Sequence, residues 1–242
     1  MTASLGIKLE GRAAIDSITL FALISLDIHP NQWTCLLGPS GVGKSTVLRL
    51  IADLKTYVDF DGTITTSDGQ PLTDRVAYMA QSDLLFPWLS VAENVNIGAR
   101  LRGEKTDEKR VLDMISRVGL SDHDTKKPAA LSGGQRQRVA LARTLMEDRP
   151  IILLDEPFSA LDAKTRAEMQ ELTFALLKER TVLLVTHDPA EAARLAHNGY
   201  IMQPQGLIPM EMPETPPVRP FDDPLTLACQ TALFRVLRKG GA

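Results

Sequence analysis

Cysteine is scarce in this 242-residue chain: Cys35 and Cys229 stand far apart, and neither belongs to a C-x-x-C pair. A disulfide framework and a thiolate zinc site are therefore not expected, and buried free thiols in a reducing compartment are. Long apolar runs are missing too. No stretch of about 18 apolar residues occurs, so no helix is expected to span a membrane. Basic residues are not in excess, with 27 Lys and Arg against 30 Asp and Glu and a net charge of -3. The electrostatic footprint of a nucleic-acid binder is absent, and no nucleic-acid partner is expected. Met1 to Glu10 lacks a charged segment leading into an apolar one, so no secretory signal is expected and the cytoplasm is the expected compartment. What remains is ordinary for a globular chain: 44% hydrophobic and 24% charged residues, enough for one large domain with a buried core.

Against that background one stretch stands out, Gly38-Pro39-Ser40-Gly41-Val42-Gly43-Lys44-Ser45-Thr46. It follows the apolar run Trp33–Leu37 and precedes Val47-Leu48-Arg49-Leu50-Ile51-Ala52, whose spacing suits a buried helix. Strand, glycine-rich turn and helix together make the G-x-x-x-x-G-K-[ST] pattern a phosphate-binding loop. Glycines let successive N–H groups turn inward around anionic oxygens, and the helix start adds partial positive charge. Lys44 is expected to reach the β- and γ-phosphates, and the Ser45 hydroxyl to ligate Mg²⁺.

The rest reads as alternating strand and helix around an insertion. Residues 5–10 and 17–28 are expected strands, as are Gly62–Thr66 and Arg75–Met79, read as a pair across the turn Ser67-Asp68-Gly69. Ser90 to about Leu101 reads as a helix opened by a Ser90/Glu93 capping box. Thr106–Val118 reads as a second helix, closed by Gly119. Ile151–Leu154 and Val182–Val185 are short apolar runs suited to strands buried on both faces. Helices are expected over Lys164–Lys178 and, begun by proline, Pro189–Ala196. The fold class is α/β with a helical insertion over about residues 83–145. After Gln203, seven prolines between Pro204 and Pro224 predict a poorly packed linker, followed by an amphipathic helix over Leu225–Arg238.

Two further segments carry chemistry. Asp155 and Glu156 sit at the carboxyl end of a buried strand, where open α/β sheets bind ligands. Asp155 is expected to hold Mg²⁺ and Glu156 to polarise the water that attacks the γ-phosphate. Leu131-Ser132-Gly133-Gly134-Gln135 opens a helix from about Gln135 to Met146 with two exposed glycines, a second anion cradle. One nucleotide needs one cradle. A second makes sense if it covers a nucleotide held by another chain.

These markers together resemble the nucleotide-binding subunit of ATP-binding-cassette (ABC) transporters over roughly residues 5–205: the loop 38–46, Gln81, the signature 131–135, Asp155-Glu156, Ser159-Ala160-Leu161-Asp162 and His187. The resemblance implies a P-loop NTPase core with an antiparallel β subdomain and an inserted helical subdomain, leaving residues 206–242 as a proline-rich tail. It implies an ATPase using ATP and Mg²⁺, and a second ATP-binding subunit across a seam marked by Asp162. It implies that Gln81 reaches Mg²⁺ and the attacking water, that His187 contacts the γ-phosphate, and that Ser132, Gly133, Gly134 and Gln135 act on the partner's nucleotide. Asp83 to Val95 resembles importers of the nitrate, sulfonate, taurine and pyrimidine-precursor type, which implies transmembrane permease subunits, a solute-binding protein and a place at the inner face of the membrane. Phe86 and Trp88 suit either a groove for a membrane partner or the core. Ile15 falls where the family places an aromatic on adenine, with Phe21 as the alternative. A soluble ABC ATPase acting on nucleic acid or ribosomes fits less well, because the chain has a single cassette and no coiled-coil insertion. An exporter subunit and a regulator without hydrolysis are the other readings.

Overall fold

The computed structural model describes residues 5–239. The chain begins with strands β1 (Ile7–Ile15), β2 (Ile18–Ile28) and β3 (Trp33–Leu37), helix α1 (Lys44–Ile51), and strands β4 (Asp59–Thr66) and β5 (Val76–Met79). Helices α2 (Val91–Val95), α3 (Ile97–Leu101) and α4 (Glu108–Arg117), a 3₁₀ turn at Pro128–Ala130 and helix α5 (Gly133–Met146) follow. Next come β6 (Ile151–Asp155), α6 (Ala163–Leu176), β7 (Thr181–Thr186), α7 (Pro189–Leu195), β8 (Asn198–Gln203), β9 (Gly206–Pro209) and α8 (Pro224–Lys239). Two compact units result: of the described residues, one holds 5–76, Pro150–Glu156 and 177–239; the other holds Ala77–Arg149 and Pro157–Leu176. Among the described residues no helix is long and apolar enough to cross a membrane.

The first unit contains an antiparallel sheet of order β2-β1-β4. In β1, buried Ile7, Leu9, Gly11 and Ala13 alternate with exposed neighbours, so one face of the sheet is wet. Its partners run Ile7↔Ile28 to Ile15↔Ile18 on one side and Ile7↔Thr66 to Ala14↔Asp59 on the other. Thus β4 pairs with β1 and not with the strand after it, contrary to the expected hairpin. A long-range partner outcompetes the local turn, although that turn does form, with Asp68 accepting the Gln70 N–H and the Arg75 guanidinium.

The second sheet of this unit sets β6, β7, β3 and β8 side by side in parallel, with β9 antiparallel at the edge. Every residue of β3, β6 and β7 is buried, as strands covered on both faces require. Sequence alone did not anticipate β8 and β9. The expected poorly packed linker after Gln203 is also wrong. Met210, Cys229 and Leu233 join Cys35, Leu37, Ala192, Ala193, Ala196 and Ile201 in one apolar cluster. Arg219 is 2% exposed, and its guanidinium donates to the carbonyls of Thr215, Ala193, Ala196 and Pro213. Prolines stop helix and strand here, but side chains do the packing that regular structure would otherwise organise. The final helix is present, one residue longer at each end than expected.

The second unit is helical. Val91, Val95, Val111, Met114, Ile115, Val118, Leu120, Leu131, Val139 and Ala142 form its core. Ser90 accepts from Glu93 N–H and Glu93 returns the bond, completing the capping box. The helix expected over 90–101 is broken at Asn96, whose backbone (φ -89, ψ 1) leaves helical geometry and whose amide donates to Thr106 Oγ1 at 2.8 Å. Asp107 caps α4, which starts at Glu108, two residues after the expected start, and Gly119 follows it at φ +72.

Candidate functional site

The loop between β3 and α1 turns on Gly41 (φ +82) and Gly43 (φ +104), conformations that L side chains rarely adopt. Gly43 has a second reason to be glycine: a Cβ there would lie 2.9 Å from the Phe21 ring. Phe21 is fully buried beneath the loop, so it has no face for a base and the adenine alternative falls. Ile15, 39% exposed, and Ile18, 73% exposed, end the β1–β2 hairpin as the accessible apolar groups.

Lys44 opens α1 and is 4% exposed. Its ammonium donates to Gly38 O (2.8 Å) and Pro39 O (2.9 Å) and lies 3.9 Å from Glu156 Oε1. Burial lowers its pKa, and the Glu156 and Asp155 carboxylates oppose that shift. Next to it, the Ser45 hydroxyl donates to Asp155 Oδ1 at 2.9 Å. A hydroxyl and a carboxylate side by side are hard oxygen donors. They fit Mg²⁺, which takes one or two protein oxygens and completes its shell with phosphate and water.

Asp155 ends β6, and Glu156 breaks from the strand with φ +47. For a non-glycine residue this costs roughly 1–3 kcal/mol and persists only where the surroundings enforce it. Here the Glu156 N–H donates to Val185 O on the neighbouring strand. The twist turns the side chain so that Oε1 faces Lys44 while Oε2 meets His187 Nδ1 at 2.9 Å. Five residues named from sequence (Lys44, Ser45, Asp155, Glu156 and His187) therefore converge at the carboxyl ends of parallel strands. The geometry offers buried positive charge, adjacent oxygen donors, and a carboxylate linked to an imidazole.

The other named residues lie in the second unit. Ser132 caps α5 through a box with Gln135, and Gln135 Nε2 lies 3.0 Å from His123 Nε2. Gly134 has no room for a side chain, since a Cβ would come 2.6 Å from Thr165 Cγ2. Gly133 is the opposite: among the described residues, beyond its neighbours and its own helix backbone, the nearest atom to a Cβ there is on the Arg136 guanidinium, 4.0 Å away. Asp162 accepts the N–H groups of Lys164 and Thr165 at the start of α6; the Thr165 hydroxyl first, and then these N–H groups, lower its pKa. Gln81 is exposed and its carbonyl accepts from Gln137.

Sequence reasoning missed how α5 grips the segment after Gln81. Arg136 reaches Asp83 Oδ2 at 2.9 Å, and Arg143, one i,i+7 step along, donates to the carbonyls of Asp83 and Leu84. Their helical spacing was the available signal. Asn94 was missed as well: fully buried, it accepts from Phe86 N–H and donates to the carbonyls of Phe86, Leu89 and Ser90. The turn it holds presents Trp88, 65% exposed, with Phe86 partly buried at 5.4 Å between ring centroids. Trp88 is therefore not a core residue.

The family described as "ABC transporter" matches residues 21–159. The chain belongs to this family. As a member it is a nucleotide-binding ATPase that powers transport. An uncharacterized ABC transporter ATP-binding protein of Haemophilus influenzae is 48% identical over 193 residues, 78% of each chain. An aliphatic sulfonates import ATP-binding protein, SsuB 1 of Rhodococcus jostii, is 45% identical over 76% of this chain and 73% of its own. The Escherichia coli protein of the same description is 43% identical over 78% and 74%.

Proposed function

We propose that this ABC ATPase drives an importer of a small solute, working as a homodimer with one ATP at each of two shared sites. The observation that carries the reading is the contact chain Lys44–Glu156–His187 beside Ser45–Asp155. In it, the loop 38–46 wraps the phosphates and Lys44 neutralises charge on the β- and γ-oxygens. Glu156 accepts the proton of the attacking water, and His187 steadies the γ-phosphate. Phosphoryl transfer has a loose, highly charged transition state, so such positioning and neutralisation supply most of the rate. Ser45 and Asp155, with Gln81, would hold Mg²⁺, which would offset negative charge on the phosphates.

Residues 1–205 form the ATP-binding domain, with the helical part over about 83–145 and a C-terminal tail after it. The open space at Gly133 supports action across a dimer: no contact among the described residues requires glycine there, whereas a phosphate brought close by a second subunit would. Ser132, Gly133, Gly134 and Gln135 thus complete the partner's nucleotide, and Asp162 lies at the seam. The relatives named for aliphatic sulfonate import favour import, and sulfonates as the solute class. Transmembrane permease subunits would hold the chain at the inner face of the membrane, with a solute-binding protein delivering cargo, and the exposed Trp88 turn is the surface offered to the permease.

Phosphate release by the purified full chain tests the dimeric site. Ser132→Arg is expected to stop turnover while a fluorescent ATP analogue still binds. Mixing it with Lys44→Ala subunits should recover part of the activity, since each mixed dimer has one site with both intact halves. Wild-type turnover by Ser132→Arg would sink completion in trans.

A further inference from the structure

Glu191 is an acid with no stated task. It lies one turn into α7, 3% exposed, where a hydrophobic residue would be cheaper to bury. Its Oε2 accepts the hydroxyl proton of Thr186 at 2.6 Å, a bond buried at both ends. The same hydroxyl oxygen accepts the Asp188 N–H at 3.0 Å, and Asp188 Oδ1 accepts the Ala190 N–H at 2.8 Å. Thr186 and Asp188 are the two neighbours of His187. Because the Asp188 N–H must donate to the Thr186 oxygen, the hydroxyl proton has to go elsewhere, and Glu191 is where it goes.

His187 needs such help. Its side chain is 51% exposed, so packing does little to fix the ring, yet Nδ1 sits 2.9 Å from Glu156 Oε2. Beyond that one bond, the orientation comes from the backbone on either side. The far end of α7 is held as well, by the Arg219 guanidinium on the carbonyls of Ala193 and Ala196. Glu191 rides on a short helix with both ends tied down.

We infer that Glu191 is a positioning residue for His187: its buried carboxyl orients the Thr186 hydroxyl, which closes the turn 186–188 and aims the imidazole at Glu156. This rests on the proposed role of His187 in turnover. Glu191 itself touches no substrate.

Five single variants and one double variant of the full chain test this, with kcat from phosphate release, nucleotide Kd from a fluorescent analogue, and melting temperature. Glu191→Leu should lower kcat by about tenfold to a hundredfold, the range for small misplacements of catalytic groups, while Kd stays within about twofold. Glu191→Gln keeps an acceptor oxygen and should retain most of the rate. In a His187→Ala background, adding Glu191→Leu should cost less than about twofold more, because its effect passes through the ring. Full additivity, wild-type kcat in Glu191→Leu, or a joint loss of Kd and melting temperature would each overturn the inference. If Glu191→Leu fails to fold, Thr186→Val should lose the rate and Thr186→Ser restore it; equal rates in that pair would overturn it too. Normal turnover by His187→Ala alone would instead sink the role given to His187.

Discussion

Arg219→Met measures how much the tail contributes to the fold. The guanidinium serves four backbone carbonyls at 2.6–3.0 Å and is almost fully buried. Burial lowers its pKa, with Cys229 and Asp223 opposing; an arginine nevertheless stays charged. Two of its acceptors, Ala193 O and Ala196 O, are carbonyls at the end of α7, which have no helical partner of their own. Methionine fills a similar volume and donates nothing. Each stranded carbonyl costs about 1–3 kcal/mol. Partial relaxation toward water and relief from burying a charge offset some of that sum. A net loss of about 3 kcal/mol follows, and at about 2–4 °C per kcal/mol for a chain of this size the melting temperature should fall by roughly 6–12 °C. Arg219→Lys should fall nearly as far, since three ammonium donors on a flexible stem cannot reproduce a planar fork. Thermal unfolding followed by circular dichroism gives the number. A drop under about 2 °C in Arg219→Met would refute the account of the tail as a packed part of the unit.

Glu156→Gln keeps the shape and removes the carboxylate proposed as the base, so turnover should fall at least a hundredfold while nucleotide binding survives. Phosphate release together with size-exclusion chromatography in ATP and Mg²⁺ checks both halves, and a closed dimer should accumulate. Ile15→Tyr should tighten ATP binding by about threefold to tenfold, because stacking on a base is worth about 1–3 kcal/mol and an exposed site lies at the low end. Titration with a fluorescent nucleotide decides it, and an unchanged Kd would show that Ile15 does not face the base.

Local patterns made the phosphate loop, the β6 carboxylates and the capping box at Ser90 legible in the sequence, because each is specified by residues within a few positions. What sequence could not supply were distances between segments far apart in the chain. Glu156 and His187 are adjacent only because β6 and β7 pair in register, Leu153 against Leu183. The same limit explains the errors. The turn Ser67-Asp68-Gly69 suggested a hairpin, and the true partner of β4 lies some fifty residues earlier. Seven prolines hid a packed tail, since proline abolishes periodicity without abolishing burial. Phe21 stood as the alternative for the base because it is a nearby aromatic, and only its burial against Gly43 shows that it faces inward.

The Asn94 brace has a consequence for how this surface can change over generations. A turn usually depends on the residues at its own tip, so altering the tip risks losing the shape. Here the frame is held from behind, through backbone atoms of Phe86, Leu89 and Ser90. Leu84 and Trp88, both exposed, are not the residues it binds. Mutation can therefore try new side chains at the tip while the scaffold stays in place. If this turn meets the permease as proposed, a subunit built this way can be refitted to a different partner by drift at the tip alone, with no need to rebuild the loop that presents it.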